Sequence, residues 1–110
     1  MSTTPRAGLA DLVTAEVTSW PGVTASGHRF GGVEFRLGRR ELGHLHGDRI
    51  ADIPFPRALR DRLMSEGRVQ RHRVLPDSGW ASRPMRTEED ARDVVALLRM
   101  NYDRATGPRT

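Results

Sequence analysis

Val33-Glu34-Phe35-Arg36-Leu37-Gly38-Arg39-Arg40-Glu41-Leu42-Gly43-His44-Leu45-His46-Gly47-Asp48 is the stretch on which the fold turns. Val33, Phe35 and Leu37 alternate with Glu34 and Arg36, the period-two pattern of a strand with one face buried. Gly38 to Glu41 supplies turn residues, and a second extended run follows from Leu42 to His46. The pair reads as an antiparallel hairpin whose loop length sets the register. A two-residue loop, Gly38-Arg39, sets Arg36 opposite Glu41 and puts Leu42, His44 and His46 beside Val33, Phe35 and Leu37. A three-residue loop puts them instead beside Glu34 and Arg36 on the polar face. Leu42 belongs with the apolar set, which favours the shorter loop.

Outward from this hairpin the chain alternates between the two periodicities. Upstream, Val23 to Ser26 reads as a strand, preceded by a helix near residues 8–19. That helix carries Leu9, Leu12, Val13, Val17 and Trp20 at helical spacing, with Glu16 the one polar intruder, and Pro21-Gly22 ends it. Downstream, Arg49 to Asp52 is a possible fourth strand. Pro54-Phe55-Pro56 then breaks the pattern and opens a helix near 56–66, with Leu59 and Leu63 on its apolar side and Gly67 as its left-handed stop. Val69 to Val74 and Gly79 to Met85 read as a second hairpin around the turn residues Pro76-Asp77-Ser78-Gly79. The last helix, near 87–102, opens with Thr87 as N-cap and Asp90 completing a capping box, and buries Ala91, Val94, Val95, Leu98 and Tyr102. The expected fold is α+β: an antiparallel sheet with three helices on one face, in the order α-β-β-β-(β)-α-β-β-α.

Length and composition narrow the function classes. A chain of 110 residues fits one domain, expected at 8–103 with polar tails at 1–7 and 104–110. The longest apolar run, Val94 to Leu98, is too short to cross a bilayer, so no membrane partner is expected. The start, Met1-Ser2-Thr3-Thr4-Pro5-Arg6, has no apolar stretch of a secretory signal, and the chain has no cysteine. The cytoplasm is the expected compartment. All 18 basic residues are arginine, which lifts the isoelectric point to 11.1. From Gly8 to Asp103, however, 15 arginines face 14 carboxylates, a surplus of +1. Most of the surplus therefore sits in the two tails; within the domain the basic part is the centre, where Arg29 to Arg73 holds 11 arginines against 6 carboxylates, or +5. A centre of that charge predicts at most weak nucleic-acid binding.

No glycine-rich dinucleotide loop, phosphate loop, nucleophile elbow or paired-cysteine motif occurs. What carries chemistry is Gly43-His44-Leu45-His46-Gly47-Asp48. His44 and His46 leave one strand face together, joined by Asp48 if the strand runs that far. His72 is a third imidazole, Trp80 an indole beside a turn, and Arg36 a cation on the neighbouring strand. These six residues form the expected ligand site. Histidine nitrogens and a carboxylate have the donor chemistry for zinc or iron, but no second spaced motif accompanies them, so the sequence assigns no metal and no cofactor. The leading expectation is a binding module with a histidine-lined polar pocket for an unknown small ligand, anionic or planar. The rival is a small metal-dependent or histidine acid–base enzyme using the same cluster, and a third reading is a weak nucleic-acid-binding domain.

Five ordered motifs carry a resemblance: Trp20-Pro21-Gly22-Val23, His28-Arg29-Phe30-Gly31-Gly32, Leu42-Gly43-His44-Leu45-His46-Gly47-Asp48, Asp52-Ile53-Pro54-Phe55-Pro56 and Pro76-Asp77-Ser78-Gly79-Trp80. Together they resemble the small bacterial and fungal luciferase domain family over about Ala10 to Tyr102. More distantly, the Pro-Gly-Val opening, Trp80 and the closing helix are similar to MmcQ/YjbR-like double-wing domains, compact α+β units associated with DNA. The chain has no recognisable flavin or nucleotide site. The resemblance therefore implies the fold and a cluster centred on His44, His46, His72 and Trp80, rather than light emission.

Overall fold

Alternation of apolar and polar residues builds the sheet, and 3.6-residue spacing builds what covers it. The computed structural model describes residues 8–28 and 31–107. Its elements run α1 (Leu9–Val17), β1 (Val23–His28), β2 (Gly32–Leu37), β3 (Arg40–His46), β4 (Ile50–Pro54), α2 (Arg57–Ser65), β5 (Gln70–Arg71), β6 (Trp80–Pro84) and α3 (Glu88–Thr106). The strands form one sheet in the order β1-β2-β3-β4-β6-β5, with every neighbouring pair antiparallel. The class and element order are those expected. Arg29 and Phe30 of the second motif lie outside the described residues, as do residues 1–7 and 108–110 of the two expected tails. No described helix is long and apolar enough to cross a membrane.

One face of the sheet carries Phe35, Leu45, Ala51, Ile53 and Ala81, which join Val13, Val17 and Trp20 of the α1 segment, Leu63 of α2 and Val94, Leu97, Leu98 and Tyr102 of α3 in a single core. The buried side of α1 is narrower than its spacing suggests, since Leu12 is 40% exposed and Glu16 is exposed too. The capping box of α3 is present: the Thr87 hydroxyl accepts from the Asp90 amide and Asp90 accepts from the Thr87 amide. That helix runs on to Thr106, past the expected Tyr102. The fifth strand is shorter than expected. It stops at Arg71, because the His72 ring accepts from the amides of Val74 and Leu75 and folds the chain out of the ladder.

The hairpin of β2 and β3 departs from both simple registers. Leu37 faces Arg40 and Arg36 faces Glu41, so the two-residue turn Gly38-Arg39 is present. Beyond it Phe35 faces Gly43 and Glu34 faces His44, which leaves Leu42 as an extra residue in a β-bulge. Leu42 and Gly43 are consequently both buried, and the two histidines turn to the polar face beside Glu34. The expectation that they lie beside Phe35 is corrected by this one residue. Helix α3 makes the bulge fit. At Gly43, with φ of +155°, a Cβ would come within 2.7 Å of Leu98 Cδ2 and 3.1 Å of the Asp52 carbonyl oxygen. Asn101, buried, donates from Nδ2 to the carbonyl of the extra residue, Leu42, at 3.1 Å and to that of Pro54 at 2.6 Å.

Candidate functional site

Asp52 is the centre of the polar face. The loop 47–49 between β3 and β4 aligns His44 with Asp52 and His46 with Ile50, and β6 then sets Ser82 against Asp52 and Trp80 against Pro54. Alternation sends His44, His46, Asp52, Trp80 and Ser82 to the same side. Asp52 is 1% exposed, although it lies on the face away from the helices. Its Oδ2 is 2.8 Å from His46 Nε2, 3.4 Å from His72 Nε2, 3.6 Å from His44 Nε2 and 3.8 Å from an Arg73 guanidinium nitrogen. Its Oδ1 accepts from the Ser82 hydroxyl at 2.6 Å. Burial works against its charge. His44, Ser82, His72 and His46 outweigh that and hold the carboxyl well below the usual carboxylate range.

His44 lies between two carboxylates, with Nδ1 2.6 Å from Glu41 and Nε2 toward Asp52. Burial opposes its charged form, but Asp52 and Glu41 together push its pKa up to about 9. The His44 and His46 rings meet edge-on at 4.9 Å, and the Trp80 indole lies 5.3 Å from His44 and 6.1 Å from His72. Because His72 Nδ1 accepts two backbone N–H bonds, its proton is on Nε2, directed at Asp52.

The loop that carries His72 and leads to Trp80 is anchored from α2. Arg60, buried, donates to the carbonyls of Pro76 and Ser78, and the Ser78 hydroxyl accepts from the Trp80 amide. Gly79 passes so close to the backbone of Phe55 that a Cβ there would collide with its carbonyl oxygen. On the outside of this loop Val74 is 74% exposed and Leu75 46%.

Four of the six expected site residues, His44, His46, His72 and Trp80, are brought together. Arg36 is on the adjoining strand, paired with Glu34 and donating to the Arg39 carbonyl at 3.0 Å. Asp48 is directed elsewhere: its carboxylate accepts from the Ala10 amide at 2.8 Å, at the positive end of α1. The carboxylate among the histidines is Asp52, not Asp48. Asp52, Glu41, Ser82 and Arg60 were not assigned to the site from the sequence. A lone carboxylate in Ile50-Ala51-Asp52-Ile53, folded back on His44-Leu45-His46, was the available signal. A separate groove of about 640 Å³ lies on the helix side, lined by Leu12, Val13, Trp20, Val95 and Arg99 among others; it contains no histidine.

A family model described as luciferase domain matches residues 39–101. The chain belongs to the luciferase domain family. The matched segment of the luciferase domain begins in the β2–β3 turn and ends at Asn101, so it contains the bulge, its Asn101 anchor, Asp52 and all the groups around Asp52. α1, β1 and β2 lie before it, and with them the first two of the five motifs. No curated protein and no solved structure matches the chain.

Proposed function

We propose that this luciferase domain is a binding module whose site is the polar face around Asp52, and that it takes a small anionic or planar ligand. The observation that carries the reading is one buried carboxylate met by three imidazoles within 3.6 Å. A sheet face that only needed solvation would not bury such a set. His44, cationic at neutral pH because of its raised pKa, and the Arg73 guanidinium 3.8 Å from Asp52 supply positive charge. The indole of Trp80 offers a stacking surface for a planar group. Acid–base catalysis is the second reading, favoured by the 2.8 Å contact of His46 Nε2 with Asp52.

Benzoate, planar and anionic, and inorganic phosphate are suitable probes. Titrated into isotope-labelled protein, at least one of them is expected to shift the ring resonances of His44 and His46 and the indole N–H of Trp80, and to lose affinity on Trp80→Ala or His46→Ala. Shifts confined to the helix side, or none at all, would overturn the reading.

A further inference from the structure

We propose that His44 Nε2, His46 Nε2 and Asp52 Oδ2 form a three-ligand site for a divalent transition metal of the zinc class. The inference rests on the reading of this face as the binding site and names what it binds first.

Three arguments converge. The donor atoms lie within 4.8 Å of one another, with Asp52 Oδ2 at 2.8 Å from His46 Nε2 and 3.6 Å from His44 Nε2. Ligands about 2.0–2.1 Å from a tetrahedral ion stand about 3.3 Å apart, and the two carboxylate–imidazole spacings lie on either side of that value. The outer partners are also those of a metal site. Glu41 at 2.6 Å from His44 Nδ1 holds a proton on that nitrogen, so the proton an ion displaces is the one on Nε2, which faces Asp52; this is the carboxylate–histidine–metal arrangement. Ser82 donates to Asp52 Oδ1 and His72 Nε2–H points at Oδ2, which orients the ligating carboxylate. The same geometry excludes His72 as a ligand, because the nitrogen facing the site carries its proton.

Two histidines and one carboxylate leave a tetrahedral ion one open position. The side chain of His46 is 34% exposed, so the site opens toward solvent on the His46 side. An oxygen of an anionic ligand fits that fourth position. As the ion binds, the proton on His44 Nε2 passes to solvent; in the bound state each ring carries its proton on Nδ1, and Nε2 gives its lone pair to the ion.

The test uses the full chain, stripped with a chelator and titrated with Zn²⁺ by calorimetry and with Co²⁺ by visible absorption. One ion per chain and the intense d–d bands of tetrahedral Co²⁺ are expected. His46→Ala and Asp52→Asn should each weaken binding by more than about 100-fold, and Glu41→Gln by about 10–100-fold with the stoichiometry kept. Circular dichroism identifies any variant that loses its fold; His46→Ala, at the most exposed ligand, is the one that decides if Asp52→Asn unfolds. No bound ion, or equal affinity in folded His46→Ala, overturns the metal site. Benzoate shifts at His44, His46 and Trp80 without a bound ion would overturn the metal and leave the binding reading standing. A face that responds neither to ions nor to benzoate or phosphate overturns both.

Discussion

The two faces of the sheet bury side chains by different physics. Under the helices, Phe35, Leu42, Leu45, Ile53 and Leu98 are almost wholly buried and held by apolar area alone. On the other face Asp52 and Ser82 are buried just as deeply, held by hydrogen bonds and charge. Apolar burial is non-directional and tolerates repacking. A polar network is directional, and each member left without its partner costs the desolvation of that group. The comparison implies that the helix side carries most of the stability and the polar side most of the specificity.

Phe35→Ala is the strongest challenge to this division. Removing a wholly buried aromatic ring should cost about 3–5 kcal/mol, read as a lower denaturant midpoint, while the relative ring positions of His44 and His46 survive in whatever fraction stays folded. A cost under about 1 kcal/mol would show that the helix side is not the main source of stability. Asp52→Ala attacks the other face and should cost about 1.5–3 kcal/mol, since His46 and Ser82 lose their shared acceptor. If it proved more damaging than Phe35→Ala in the same denaturant assay, the division would be reversed.

Gly43→Ala tests the seam between the faces. Its Cβ would meet Leu98 and the Asp52 carbonyl at a φ that side chains rarely adopt, so a loss of about 1–3 kcal/mol is expected. Displaced ring resonances of His44 should accompany it, and unmoved resonances would mean that the bulge does not orient the ring.

Titration sharpens the comparison through its sign. His44 has its pKa raised from 6.5 to about 9. Its stabilising contribution is complete below 6.5 and is lost as pH rises through about 9. Asp90 behaves oppositely. The Arg86 amide leads the groups that lower its pKa from 3.8, so its contribution is present above that value and fades as pH falls through the lowered one. Difference melts of wild type against His44→Asn and Asp90→Asn should therefore bend at opposite ends of the pH range. Curves that bend at the same end would contradict these charge assignments. The smallest effect expected is on a labelled DNA duplex. With a local surplus of +5, binding should be weak, indifferent to sequence and gone at physiological salt; tight selective binding in a fluorescence titration would assign the basic centre a role that neither face has.

The sheet was legible because Val33 to Leu37 alternates without interruption and Gly38-Arg39 makes a plain turn. The helices were legible from Leu, Val and Ala at helical spacing and from the Thr87–Asp90 cap. What could not be read is where alternation fails. Leu42 and Gly43 look like successive members of a regular strand, and only the side chains of Leu98 and Asn101, more than fifty positions on, give both a reason to face inward. Asp52 escaped for a related reason: its role appears only when His46 is folded back on Ile50 through residues 47–49. Asp48, by contrast, had the right chemistry and the wrong neighbour, since α1 begins beside it.

The extra residue at Leu42 has a consequence for comparing sequences within this family. Between Glu41 and His44 it is the number of residues, more than their identity, that decides which way the imidazoles look. A relative one residue shorter there would keep both strand histidines, His44 and His46, and turn them into its core. A relative that replaced Leu42 by another apolar residue would keep the polar face intact. Alignments of this segment should therefore be judged by where they place a single gap and by whether an amide side chain stands at the position of Asn101 to hold the carbonyl that the extra residue contributes.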